Sequence, residues 1–153
     1  MKKIIESLIV CLMLTGNVFA DTMKPLKNYM DENTKYYNDP VTLSYIFKRC
    51  ASVYLFASGI TKDKEPKSSE SFSKAYYKSS DFAAQVLKEG MKWSDEEITK
   101  SIITDLKNMT NLYISDGNIF FAKTGKYMMD NYIGEDISLC KGLVEAINWK
   151  KYF

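Results

Sequence analysis

The sequence predicts an all-α fold, a single-domain helical bundle of about five helices with one disulfide. Three observations lead to this prediction. Apolar residues recur at intervals of three and four along most of the chain, whereas strand-like alternation is scarce. Helix-starting residues precede several of these stretches. Two cysteines fall on apolar helix faces in a chain that begins with an export signal, and such cysteines pair in oxidising compartments.

The first twenty residues are typical of a signal peptide. Lys2 and Lys3 precede a mostly apolar stretch over residues 4–14, and Val18 and Ala20 satisfy the small-residue rule for cleavage. An uncleaved anchor helix is the alternative, but the apolar stretch is shorter than the roughly 17–25 residues that a membrane span needs. We therefore expect cleavage after Ala20, a single helical domain over 21–153 without a membrane span, and a periplasmic or secreted location.

Residues 21–39 are predicted to be a helical, partly flexible N-terminal segment. Pro25 suits a first helical turn, and tyrosines and apolar residues then recur at helical spacing. Asp39 is a good N-cap and Pro40 a good first helical residue, so they predict the start of the next helix. That helix covers 41–58, has a broad apolar face, and is expected to end at Gly59.

The middle of the chain contains a polar stretch and a strong helix start. Residues 61–70 are charged and polar and predict a mobile loop. A helix over about 71–89 is expected to follow. Ser94 and Glu97 then have the spacing of a capping box, in which each satisfies a backbone N–H of the other. The helix that begins there is expected to stop near residues 115–117.

Residues 117–133 allow two interpretations. A helix interrupted near Gly125 is one, and a β-hairpin turning at Asp116 and Gly117 is the other. The helix is favoured because an isolated two-stranded hairpin is only marginally stable. A last helix is predicted over about 136–148, with the aromatic residues of 149–153 folding back on the bundle.

Cys50 and Cys140 are the two cysteines that remain after cleavage, and they are predicted to form a disulfide. The alternatives are a free thiol pair, a redox centre or a metal site. Redox centres usually have the C-x-x-C spacing, which is absent. A metal would need further soft ligands, and the chain contains no histidine to supply them. The sequence therefore predicts no metal site and no cofactor.

Composition also limits the functional classes. The absence of histidine excludes Ser-His-Asp and Cys-His catalysis. The 19 basic and 18 acidic residues after Ala20 are spread along the chain, which argues against a nucleic-acid partner. A hydrolase using carboxylates stays open, but the acidic pairs Asp95–Glu97 and Glu135–Asp136 occupy predicted helix starts, where carboxylates are common. No catalytic residue is assigned.

Arg49 stands out because the other 20 basic residues are all lysine. A guanidinium offers a planar fork of donors that lysine cannot reproduce. Arg49 is therefore predicted either to bind an anion or to pair with a buried carboxylate.

The chain contains 11 tyrosines, and two adjacent pairs suggest a partner surface. Adjacent helical residues point about 100° apart, so one member of each pair should face outward. Tyrosine is favoured at interfaces because it offers contact area and a hydroxyl at low entropic cost. The candidate partner surface comprises Tyr36, Tyr37, Tyr76 and Tyr77.

The export signal, the helical pattern and the single cysteine pair resemble the small periplasmic acid-stress chaperones of the HdeA type, although no motif residue matches theirs. This resemblance implies a stress-related, chaperone-like role. The leading hypothesis is accordingly an exported, non-catalytic helical protein that binds a protein partner in the periplasm. The alternative is an inhibitor or secreted effector that acts on an envelope enzyme.

Overall fold

The computed structural model describes residues 23–146, which form α-helices and one short 3-10 helix without a strand. The elements are α1 (Leu26–Glu32), the 3-10 helix (Tyr36–Asn38), α2 (Pro40–Thr61), α3 (Pro66–Met91), α4 (Asp95–Thr124) and α5 (Tyr132–Ala146). The predicted all-α, single-domain bundle of about five helices is confirmed. The predicted signal peptide over 1–20 and the aromatic tail over 149–153 lie outside the described residues.

Helix α2 is the centre of the bundle and packs against each of the other four α-helices. It begins where the sequence predicts, because the Asp39 carboxylate accepts hydrogen bonds from the backbone N–H groups of Val41 and Thr42 at 3.2 and 3.3 Å. Its second half is buried on nearly every side. The broad apolar face predicted for this helix is therefore buried in the structure.

The predicted loop over 61–70 is wrong in its extent. Helix α2 continues past Gly59 to Thr61, and α3 already begins at Pro66, so the connection is only residues 62–65. Proline suits the first turn of a helix, where its missing N–H is not needed. Ser69 is buried against α2, where its hydroxyl donates to the Ser58 carbonyl oxygen at 2.9 Å. Packing of small hydroxyl residues thus extends α3 into a stretch whose composition is typical of a loop.

Helix α4 begins with the predicted capping box. The Ser94 hydroxyl accepts from the Glu97 N–H at 3.3 Å, and the Glu97 carboxylate accepts from the Ser94 N–H at 2.8 Å. The expected stop near 115–117 is wrong, since α4 runs on to Thr124. It ends at Gly125, whose φ of 72° is the left-handed conformation that glycine adopts without strain.

Tertiary packing explains why α4 does not stop at Gly117. A Cβ at this position would lie 2.5 Å from the Phe56 ring, so glycine lets that ring lie directly on the helix. The neighbouring Asp116 is buried and accepts hydrogen bonds from other elements. Of the two interpretations of residues 117–133, the helix interrupted near Gly125 is therefore right and the hairpin is wrong.

Helix α5 begins four residues earlier than predicted. The Asn131 side-chain oxygen accepts from the N–H groups of Ile133 and Gly134 at 3.0 and 3.3 Å, which caps the first turn. Asp136 consequently lies one turn inside the helix instead of at its start.

Gly134 and Gly142 of α5 make a matched pair for a test of packing. A Cβ at Gly134 would lie 2.2 Å from the Met128 carbonyl oxygen, whereas nothing lies within 4 Å of one at Gly142. Gly134→Ala is expected to lower the free energy of unfolding by about 1–3 kcal/mol, because backbone must move. Gly142→Ala is expected to raise it by about 0.5–1 kcal/mol, because alanine favours the helix. Urea denaturation measures both, and equal stabilities of the two variants would contradict this packing.

Candidate functional site

Arg49 lies at the centre of a buried polar cluster formed by α2, α4 and α5. Its side chain and that of Asp136 are each only 1% exposed, and its Nη2 donates to Asp136 Oδ2 at 2.6 Å. The Tyr113 hydroxyl donates to the same carboxylate oxygen at 2.6 Å and accepts from Arg49 Nη2 at 3.0 Å. Of the two predicted roles of Arg49, the structure thus contains the pairing with a buried carboxylate.

The same cluster holds the N-terminal segment against the bundle. Arg49 Nη1 donates to the Lys24 carbonyl oxygen at 2.7 Å, and the Leu26 N–H donates to Asp136 Oδ1 at 2.8 Å. Asp136 therefore caps α1 from another helix. Met23 and Leu26, in the segment that the sequence predicts to be partly flexible, are buried.

A second buried carboxylate, Asp116, extends the network. Its Oδ2 accepts from the Met23 N–H at 3.1 Å and from the Tyr132 hydroxyl. Two aspartates from α4 and α5 thus each accept a backbone N–H of the segment that leads into α1. These bonds satisfy buried donors whose desolvation would otherwise destabilise the fold.

The cluster shifts the pKa of its members in directions that follow from burial and pairing. Burial alone would lower the pKa of Arg49, but Tyr113 and Asp136 outweigh it and hold the pKa above its ordinary value. Burial raises the pKa of the Asp136 carboxyl, while hydrogen bonding to Tyr113 and the charge of Arg49 oppose that rise. Burial also raises the pKa of Tyr113 well above 10.0.

The predicted disulfide between Cys50 and Cys140 is present, and both residues are fully buried. It joins α2 to α5 directly beside the cluster, since Arg49 precedes Cys50 and Asp136 lies one turn before Cys140. Sequence reasoning missed Asp136 as the partner of Arg49 and assigned it to a helix start. The spacing of four between Asp136 and Cys140 could have revealed it, because the bridge brings that helix face next to Arg49.

This arrangement stabilises the fold and exposes no reactive group to a substrate. The four polar side chains of the network are each at most 2% exposed, and each makes hydrogen bonds to other groups of the protein. They are Arg49, Tyr113, Asp116 and Asp136. The predicted acidic pair at Asp95 and Glu97 lies in the capped first turn of α4. In the described part of the chain, no three side chains with metal-binding groups come together.

The tyrosine pairs do not form one surface. Tyr37 and Tyr77 are each 64% exposed, while Tyr36 and Tyr76 pack partly against the core. One member of each pair thus faces outward, as predicted. The Tyr36–Tyr37 pair lies just before Pro40, and Pro40 contacts Gly90 of α3. Tyr76 lies on the same helix, 14 residues before Gly90. That separation is about 20 Å at a rise of 1.5 Å per residue.

Three exposed apolar side chains lie along the outer side of helix α4, with polar residues between them, a feature that the sequence analysis did not single out. Ile103, Ile114 and Phe121 are spaced by 11 and 7 residues, which places them on one side of a helix. All three are exposed, Ile103 by 61%. We call these residues the α4 stripe. Their spacing is visible in the sequence, but their exposure depends on which face of α4 packs against α2.

The buried Tyr113 hydroxyl predicts a loss of stability at alkaline pH. Above pH 10 the unfolded chain releases this proton while the folded chain keeps it, so stability falls as pH rises through that range. Tyr113→Phe is expected to reduce the dependence of unfolding free energy on pH by about 1.4 kcal/mol per pH unit, the value for one proton. Urea titrations between pH 9 and 11.5 measure this slope. Surface variant Tyr77→Phe is the control, and equal slopes for Tyr113→Phe and the unmodified protein would contradict the prediction.

Comparison with known proteins gives no relative. No protein-family model matches the sequence. Neither a curated protein nor a solved structure is significantly similar to the chain. Within residues 23–146, no helix combines the length and the apolar character needed to cross a membrane.

Proposed function

We propose that this protein is exported to the periplasm or secreted, and that it acts without catalysis by binding unfolded segments of other proteins. The observation that carries this proposal is the α4 stripe. Exposed apolar side chains along one side of a long helix offer contacts to apolar segments of a client protein. The buried network supports the proposal, because Tyr113 and Asp116 hold that helix in place without using its outer face.

The chemistry of the charged groups also favours binding over catalysis. The side chains with raised pKa and close charged partners are typical candidates for acid–base work. Here Arg49, Tyr113 and Asp136 are buried in the core and form hydrogen bonds with one another. Export agrees with the buried disulfide, since such bridges persist in oxidising compartments.

The proposal can be tested with clients whose aggregation is followed by light scattering. The protein beginning at Asp21 is expected to suppress aggregation of several unrelated, thermally unfolding clients at near-stoichiometric ratios. Ile103→Ser and Ile114→Ser are each expected to weaken client binding by roughly fivefold, the effect of losing about 1 kcal/mol at an interface. Asn111→Ser on the same helix is the matched control, because it changes an exposed polar residue.

Other outcomes identify the alternatives. Binding to one envelope enzyme in a fixed ratio, with inhibition of that enzyme and no effect on unrelated clients, would indicate an inhibitor or effector and refute the chaperone-like role. Turnover of a substrate that is lost on mutation of a single carboxylate would indicate a hydrolase. Suppression that is unchanged in Ile103→Ser and Ile114→Ser would remove the α4 stripe from the proposal.

A further inference from the structure

The N-terminal end of the fold lies across the two helices that the disulfide joins. Residues 23–26, which we call the strap, bond to one group on each helix. The Lys24 carbonyl oxygen accepts from Arg49 Nη1 of α2 at 2.7 Å. Two residues later, the Leu26 N–H donates to Asp136 Oδ1 of α5 at 2.8 Å. Because hydrogen bonds weaken steeply outside a narrow range of distance and angle, the strap makes both bonds only while Arg49 and Asp136 lie side by side.

The disulfide controls the placement of these two side chains. Cys50 directly follows Arg49 on α2. Cys140 lies one turn after Asp136 on α5, and residues spaced by four share a helix face. Of the four residues that α5 buries, two are Asp136 and Cys140. The bridge thus fixes α5 against α2 within one helical turn of both groups that the strap binds.

Little else holds the strap and α1 on the bundle. Leu26 is the one fully buried residue of α1, and Met23 is the buried residue that precedes it. Both belong to the same apolar cluster as the two cysteines. The ion pairs of this part of the chain are exposed and join its own residues. Segments with few buried apolar contacts open at a lower free energy than the rest of a fold, so the strap is the part that opens first when α5 moves.

We propose that the strap is a redox-gated closure of the bundle. It docks on α2 and α5 when Cys50 and Cys140 are oxidised, and it detaches when they are reduced. Closure follows thiol–disulfide exchange with an external disulfide, which accepts two electrons and two protons and becomes a pair of thiols while the Cys50–Cys140 bond forms. Exchange in the reverse direction with external thiols frees α5 to move away from α2. This coupling is independent of client binding by the α4 stripe.

Thermodynamic linkage makes the coupling reciprocal. If the bridge favours docking of the strap by some factor, docking favours the bridge by the same factor. A change that weakens the strap should therefore shift the two cysteines toward the reduced form, although the strap contains no cysteine. A disulfide that only stabilised the fold as a whole would not single out the strap.

Hydrogen exchange of the protein beginning at Asp21 tests the first direction of the coupling. In the oxidised form, the amides of Met23 and Leu26 are expected to exchange at least roughly a hundredfold more slowly than in the unfolded chain, because each donates to a buried carboxylate. In the form reduced with dithiothreitol, they should exchange within about tenfold of the unfolded rate, while the buried Ala83 of α3 stays protected. Lasting protection of Leu26 after reduction would overturn the proposal. Equal loss of protection at Leu26 and Ala83 would also overturn it, because it would show that the whole bundle opens.

The reverse direction is measured by equilibrating the protein with reduced and oxidised glutathione and titrating its thiols. Leu26→Ala removes the main apolar contact of the strap and is expected to shift the equilibrium toward the two thiols by roughly tenfold, a usual strength for coupled sites. Leu87→Ala is the matched control, because Leu87 is 1% exposed but lies outside the apolar cluster that contains the disulfide. It should leave the equilibrium unchanged. An equal shift in the two variants, or no shift in Leu26→Ala, would refute the coupling.

Discussion

Removal of the disulfide is expected to lower the free energy of unfolding by about 4–5 kcal/mol, because an open unfolded chain gains the entropy that a closed loop lacks. The bridge joins Cys50 to Cys140 across a sequence separation of 90 residues, with the two Cα atoms 5.4 Å apart. The double variant Cys50→Ala/Cys140→Ala tests this value. Small domains have a total stability of about 5–15 kcal/mol, so the variant loses a large part of it.

Urea denaturation followed by circular dichroism measures the loss. The dependence of unfolding free energy on urea is also expected to become steeper, because the unfolded variant exposes more surface. Burial of both sulfurs adds a kinetic expectation. Dithiothreitol should reduce the bridge slowly in the folded protein and rapidly in urea, as thiol titration will show. A loss of stability below about 1 kcal/mol would contradict the loop-entropy argument.

Removal of the Asp136 carboxylate is expected to cost about 3–5 kcal/mol, the usual effect of leaving a buried charge unpaired. In Asp136→Ala, the Arg49 guanidinium loses its ionic partner while it stays buried. The Leu26 N–H and the Tyr113 hydroxyl lose their acceptor at the same time. We therefore expect α1 to detach as well, and hydrogen exchange of the Leu26 amide should increase.

A double-mutant cycle of Arg49→Met, Asp136→Leu and the double variant separates the ion pair from the other bonds of Asp136. The variant Arg49→Met/Asp136→Leu leaves no unpaired charge, so it is expected to recover part of the loss. The recovery stays incomplete because the Leu26 N–H still lacks an acceptor. Asp31→Asn, which breaks the exposed pair with Lys27, is the control and should leave the urea midpoint nearly unchanged. A coupling energy near zero between Arg49 and Asp136 would contradict the cluster described above.

Local sequence determines the starts of α2 and α4 in this protein. Asp39 and Pro40 begin α2, and Ser94 with Glu97 begins α4, because capping side chains satisfy backbone donors only two or three residues away. The pairing of Cys50 with Cys140 was also predictable, since no other cysteine follows the predicted cleavage site and the apolar faces place both inside. Helical periodicity then defines the all-α class.

Local sequence was less reliable for the start of α3 and the end of α4. Composition predicted a loop over 61–70 and a stop at 115–117, yet α3 begins at Pro66 and α4 passes through Gly117. In both places a small residue allows close packing against α2, with Ser69 on the Ser58 carbonyl and Gly117 under the Phe56 ring. The free energy of such contacts depends on a distant element, and local propensity does not contain it.

The sequence alone thus determined the helical class, the main helix starts and the disulfide, because each depends on short-range spacing or on a count of residues. It also identified Arg49 as unusual. Only the tertiary structure decided that Arg49 pairs with Asp136, and that Asp116 and Asp136 hold the N-terminal segment. These contacts join residues that are tens of positions apart, and their partners are chosen by how the helices pack around α2.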